Sequence, residues 1–73
     1  NIAYAQRERL AFIEVRSYFC GNLTRTHIEE RFGVKPAASA RDLIAYRALA
    51  PHNLQYNAAQ RCYQPTEIFR PVF

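Results

Sequence analysis

The few glycines and prolines of this chain constrain its fold more than any other feature of the sequence. Gly21 and Gly33 are its only glycines, and Pro36 and Pro51 are the first two of its four prolines. Both residue types disfavour the interior of a helix, so the uninterrupted stretches between them favour helices and they themselves favour helix ends. Their spacing predicts three helices, at residues 4–20, about 24–32 and about 35–49.

Local signals refine these boundaries. A short extended segment, Leu23-Thr24, precedes the second helix, and either Thr24 or Thr26 can cap it. Pro36 suits the first turn of the third helix, because its missing N–H has no helical partner there. The helical period gives the third helix an inward face of Ser39, Leu43, Tyr46 and Ala50 and an outward face of Ala38, Arg41, Asp42 and Ala45.

The chain changes character after Pro51. Residues 53–56 and 61–64 alternate between polar and apolar side chains, and residues 57–60 form a plausible turn between them. This pattern predicts a β-hairpin that Pro65 closes. We expect the last segment, 66–73, to be an extended linker toward a C-terminal domain that this sequence does not contain.

Size and composition narrow the function. A chain of 73 residues forms one small domain with little room for an enclosed substrate pocket. His27 and His52 lack neighbouring metal ligands, and no catalytic motif is present, so we expect no enzyme, no cofactor and no metal. Cys20 and Cys62 are expected to be buried thiols in a reducing compartment. Without a membrane span or signal peptide, the chain is expected to be cytoplasmic and associated with the nucleoid.

The predicted order of elements is mainly α with a small β-hairpin, which is the winged helix-turn-helix plan. The major groove of DNA admits one α-helix, so this plan favours a DNA-binding domain over residues 1–65. The net charge of +4, with its larger share after Val34, agrees with an anionic partner. The second-helix start, the third helix and the hairpin supply the candidate DNA contacts, which are Thr24, Arg25, Lys35, Ala37, Ala38, Arg41, Asp42, Asn57, Gln60 and Arg61.

The first helix carries apolar residues around most of its circumference. A helix of this kind is normally buried on more than one side. The excess is either ordinary burial or a contact surface for a second subunit. In the second case, the candidate dimer interface comprises Tyr4, Arg7, Leu10 and Ala11.

Several segments in order resemble one family. They are residues 9–14, Arg31-Phe32-Gly33-Val34, residues 38–43 with Tyr46, and Phe69-Arg70-Pro71-Val72-Phe73. Together they resemble the N-terminal DNA-binding domain of WYL-domain transcriptional regulators, and most of all the phage-defence-island group of CapW and BrxR repressors. The resemblance implies a homodimer that binds a palindromic operator, represses a defence operon and senses an effector ligand through a later domain. A transcriptional activator with the same DNA-binding domain and a protein-binding winged helix remain the alternatives.

Overall fold

The computed structural model describes residues 2–73 and contains three helices followed by a two-stranded hairpin. The predicted winged helix-turn-helix architecture is confirmed. Both strands and the turn between them lie one residue later than predicted. The elements are α1 (Tyr4–Cys20), α2 (Arg25–Phe32), α3 (Pro36–Leu49), β1 (Leu54–Asn57) and β2 (Cys62–Pro65).

The two glycines end their helices as predicted. Gly21 (φ 76°) and Gly33 (φ 66°) adopt the left-handed conformation that glycine reaches without steric cost. Their N–H groups donate to the carbonyl oxygens of Ser17 and Glu29, which closes the last turns of α1 and α2. The tight turn after Gly33 leads directly into α3, which begins at Pro36.

The hairpin is antiparallel and is tied to the helices through a third segment. Leu54 pairs with Pro65, and Asn57 pairs with Cys62. Leu23, between α1 and α2, forms an isolated bridge with Tyr63, with N to O distances of 2.9 and 2.8 Å in the two directions. This bridge fixes the hairpin relative to the start of α2.

Side chains from the three helices, from β1 and from the segments that precede α2 and β1 fill one core, against which Tyr63 of β2 packs. Because Leu10 is fully buried within it, the prediction that Leu10 lies on an exposed dimer surface is wrong. Burying each large aliphatic side chain contributes about 1.5–3 kcal/mol. The core consists of Leu10, Ile13, Leu23, Ile28, Leu43, Tyr46, Ala50 and Leu54.

A buried polar network joins the core to the last residues of the chain. Glu14, only 4% exposed, accepts hydrogen bonds from the Tyr46 hydroxyl (3.0 Å) and the backbone N–H groups of Val72 (2.7 Å) and Phe73 (3.0 Å). Asn53 donates to Tyr46 Oη (3.1 Å) and to the Arg70 carbonyl (2.7 Å), and it accepts from the Arg70 N–H (2.8 Å). Residues 70–73 therefore lie against α1 and α3, although they form no helix or strand.

The two cysteines differ in their surroundings. Cys62 is buried as predicted, whereas Cys20 is exposed, so the prediction for Cys20 is wrong. Cys20 belongs to an apolar run, but its neighbours Tyr18 and Phe19 are exposed as well. Within residues 2–73, no helix combines the length and apolarity needed to cross a membrane.

Candidate nucleic-acid interface

An open groove lies between the start of α2, the outer side of α3 and the hairpin. Leu23 and Cys62 form part of its floor, and Ala40 and Ala48 bring the α3 backbone close to its surface. Thr24 and the two residues after it contribute from α2. Of the predicted DNA-binding residues, Thr24, Arg25 and Arg61 therefore lie in one concave region, whose α3 side is lined by residues other than the predicted ones.

Among the described residues, the charged side chains that line this groove are all cationic. Arg25 from α2, Arg47 from α3 and Arg61 from the hairpin turn line it, and each is exposed. Lys35, which precedes α3, and Arg41 on its outer side are exposed as well. No Asp or Glu occurs among the described residues that line the groove. With cations on three elements and no acid among them, the groove favours an anionic surface.

The outer face of α3 differs from the one predicted. Ala37, Arg41 and Ile44 are exposed. Ala38, which was predicted on the outward face, is half-buried. Arg47 lines the groove, and its guanidinium carbon lies 5.3 Å from the centroid of the Tyr63 ring. Neither Ile44 nor Arg47 was among the predicted site residues. The helical period does place Ile44 with Ala37 and Arg41, so a full projection of α3 would have found it.

The prediction that Asp42 lies on the exposed face of α3 is wrong. Asp42 is 1% exposed and accepts hydrogen bonds from Arg9 Nε at 2.5 Å and Arg9 Nη2 at 3.3 Å. Gln6 Nε2 donates to the same carboxylate at 3.3 Å. Asp42 lies at the edge of the inward face, where α1 supplies a cation, so it joins α1 to α3 rather than facing a ligand.

A hydrogen bond joins the two helices of the helix-turn-helix. Ser39 Oγ, fully buried on α3, lies 2.6 Å from Glu29 Oε2 on α2 and 3.0 Å from the Pro36 carbonyl. The rings of Phe12 and Phe32 pack edge to face at 5.4 Å beneath the same turn. The orientation of α3 relative to α2 is therefore held by specific contacts.

The start of α2 has its own cap, and the structure resolves the choice between the two threonines in favour of Thr24. The Thr24 hydroxyl accepts from the His27 N–H (3.3 Å), and His27 Nδ1 accepts from the Thr24 N–H (3.0 Å). Burial, and then the nearby Arg16 guanidinium, lower the pKa of His27 below its ordinary value. A neutral imidazole completes this cap, since Nδ1 must accept a hydrogen bond.

Residues of the hairpin turn play unequal roles. Asn57 Oδ1 accepts from the Gln60 N–H (3.0 Å), and Asn57 Nδ2 donates to Gln64 Oε1 (3.1 Å), so its amide already shapes the turn. The side chains of Gln60 and Arg61 are exposed. Arg61 has φ of 55°, a left-handed conformation that is uncommon for a residue other than glycine.

The outer face of α1 carries several exposed apolar side chains. Tyr4 is 77% exposed, Arg7 is exposed and Ala11 is half-buried. The same face continues towards the end of α1 with further exposed apolar side chains that were not among the predicted dimer-interface residues. They are Val15, Tyr18 and Phe19.

The sequence of this chain is similar to those of known proteins, and the family that it matches is described by the same architecture. Residues 5–73 match the family described as the BrxR transcriptional regulator winged helix-turn-helix domain. The chain is 36% identical over 70 residues to the DNA-binding transcriptional repressor CapW of Escherichia coli (strain KTE188), which covers 96% of this chain and 23% of that protein. Proteins of the same description from Pseudomonas aeruginosa and Stenotrophomonas maltophilia are each 34% identical and cover 96% and 99% of this chain. The chain spans about a quarter of the length of these curated relatives.

Proposed function

The chain belongs to the family of BrxR transcriptional regulator winged helix-turn-helix domains, and from this premise we propose that it binds double-stranded DNA sequence-specifically. In the proposed complex, α3 enters the major groove and the hairpin contacts the flanking backbone or the minor groove. The helix-turn-helix geometry is suited to this arrangement because α2 supports α3 across a short turn.

One observation carries the proposal. Five exposed cations lie at the start of α2, at the start and on the outer side of α3, and on the hairpin turn. Arg25, Arg47 and Arg61 among them line the groove, and no acidic side chain occurs among the described residues of that lining. Contacts between cations and phosphates supply most of the sequence-independent affinity of DNA-binding proteins. The five cations are Arg25, Lys35, Arg41, Arg47 and Arg61.

The place of each residue in the fold determines the DNA contact that we propose for it. Thr24, Arg25 and Lys35 contact phosphates, helped by the positive end of the α2 helix dipole. Arg41, exposed on the outer side of α3, is the candidate for a bidentate contact with guanine. In the major groove, Ala37 and Ala38 allow the helix to approach the bases closely.

In the hairpin, Gln60 and Arg61 are the proposed contacts. Asn57 serves mainly to hold the turn, because both atoms of its amide group already have partners. This division predicts that Asn57 affects binding through the conformation of the turn.

We further propose that two copies pair through the outer face of α1 and read a palindromic site. Tyr4, Arg7 and Ala11 lie on this face, and the exposed Arg7 and Glu8 stand next to each other. In a two-fold pair, each Arg7 can meet Glu8 of the other copy, while the apolar side chains pack between the two α1 helices.

The double variant Tyr18→Ser with Phe19→Ser tests the pairing. Sedimentation of the wild type as a dimer and of the variant as a monomer supports it.

The role of the longer protein is also part of the proposal. We infer that the chain is the DNA-binding part of a bacterial repressor of a defence operon, with an effector sensed elsewhere in the protein. The relatives named above are described as DNA-binding transcriptional repressors. A reporter gene driven by a promoter that contains the selected site distinguishes repression from activation. Expression of the longer protein lowers reporter output if it is a repressor and raises it if it is an activator.

Selection of duplexes from a random library tests the central proposal. The selected duplex and a scrambled one are titrated with the wild-type chain, with Arg41→Ala and with Arg70→Ala as a matched control. Arg70 is an exposed arginine outside the groove. We expect Arg41→Ala to lose about 1–3 kcal/mol of discrimination and Arg70→Ala to bind like the wild type.

Salt dependence provides a second readout. Removing one cation that neutralises a phosphate lowers the steepness of log K against log salt concentration by about 0.9. We expect Arg25→Ala to reduce this slope and to weaken binding to both duplexes equally. Failure to select any duplex, with equal binding to scrambled DNA, would contradict sequence-specific binding and favour a protein partner.

A further inference from the structure

Ile44 is a large apolar side chain in a groove whose lining includes three arginines. It is 70% exposed, lies in the middle of α3 and lines the groove. Arg41 and Arg47, both exposed, are one helical turn away from it on either side along the chain. It does not belong to the core cluster or to the half-buried residues packed against it.

Folding does not account for an isoleucine at this position. An exposed β-branched residue has a lower helix propensity than alanine, which occupies positions 37, 40 and 48 on the same side of α3. Ile44 also gains little burial, since most of its surface stays in water. An apolar ligand group that enters the groove would supply the burial that the chain itself does not.

DNA offers one apolar group at the base edges of its major groove, the C5-methyl of thymine. On the proposed function, with α3 in the major groove, the cations on either side of Ile44 face phosphates and guanine edges. Ile44 then faces the base edges between them. We propose that Ile44 is a specificity-determining residue that recognises a thymine methyl group in each half of the DNA site.

The size of the effect follows from burial of one methyl group. Such burial is worth about fourfold in affinity, the equivalent of about 0.8 kcal/mol. Two half-sites give about fifteenfold for a dimer on a palindromic duplex.

Deoxyuridine tests this directly, because it lacks the C5-methyl and keeps the pairing edge of thymine. The duplex selected by the 73-residue chain is prepared with each thymine replaced in turn, and binding is measured for the wild type and for Ile44→Ala. Leu49→Ala is the matched control, since Leu49 is 48% exposed on α3 but does not line the groove. Circular dichroism confirms that each variant keeps its fold.

We expect one thymine in each half-site at which deoxyuridine weakens wild-type binding about fourfold. In Ile44→Ala the same replacement has no further effect, whereas Leu49→Ala keeps the full penalty. If the selected duplex binds specifically but no thymine responds, or if the penalty persists in Ile44→Ala, the assignment to Ile44 is wrong and DNA binding stands. If no duplex is selected at all, the proposed function itself fails, and the Ile44 assignment is overturned with it.

Discussion

The pair formed by Arg9 and Asp42 provides the sharpest test of the packing between α1 and α3. Replacing Asp42 by Asn keeps the shape of the side chain and removes its charge. Asp42 is 1% exposed and the Arg9 side chain 18% exposed, so Arg9 loses its partner in a largely desolvated position. Breaking a buried pair of this kind costs about 3–5 kcal/mol. Because Arg9 retains some contact with water, we expect about 3 kcal/mol, most of the stability of a domain of this size.

Thermal unfolding followed by circular dichroism measures this loss. For a domain of this length, about 3 kcal/mol corresponds to a fall in Tm of about 12–24 °C. Glu30→Gln is the control, because Glu30 is an exposed carboxylate on α2, and we expect it to change stability by less than about 0.5 kcal/mol. The double variant Arg9→Met with Asp42→Leu replaces the pair by apolar side chains and should recover most of the loss.

Two results would refute this reasoning. If Asp42→Asn melts at the wild-type temperature and instead changes base preference, Asp42 faces DNA as its position in the sequence first indicated. If the double variant is no more stable than Asp42→Asn, the loss arises from something other than an unpaired buried charge.

Three further predictions concern the turn, the α2 cap and the C-terminal residues. Arg61→Gly relieves a left-handed backbone, so its free energy of unfolding in urea should rise by about 0.5 kcal/mol while its DNA affinity falls; a loss of stability would contradict strain at Arg61. The lowered pKa of His27 means that the unfolded chain binds the proton more readily, so stability should decline as pH falls below about 6.5. His27→Gln, which keeps an acceptor for the Thr24 N–H, should flatten that decline, and an unchanged pH profile would show that another group titrates. Glu14→Gln should lower the free energy of unfolding by about 2 kcal/mol and speed amide exchange at Val72 and Phe73; exchange at the wild-type rate would contradict the network.

Helix boundaries were predictable from the sequence because their causes are local. Gly21, Gly33 and Pro36 act on their own backbone, and each ends or starts a helix where the sequence placed the boundary. The boundaries of the hairpin strands were predicted one residue too early along the chain, because the turn contains no glycine to mark the position with φ above zero. In the structure Arg61 takes that conformation.

Side-chain environments were less predictable because they depend on neighbours far along the chain. The period of α3 puts Asp42 at the edge of its inward face, and only the approach of Arg9, 33 residues away, decides that it is buried. Glu14 likewise lies in an apolar run, but its partners Val72 and Phe73 are 58 and 59 residues away. Ile44 could have been recognised from the period of α3 alone, since apolar residues on an outward face are visible in the sequence.

Backbone and arginine side-chain NMR signals of the chain, titrated with the selected duplex, test the central claim most directly. The account predicts that the largest changes fall on residues 24–26, on the outer side of α3 and on the turn at 58–61, and that a scrambled duplex gives smaller ones. Changes confined to the outer face of α1 around Tyr4 and Phe19, with the groove unaffected, would contradict it.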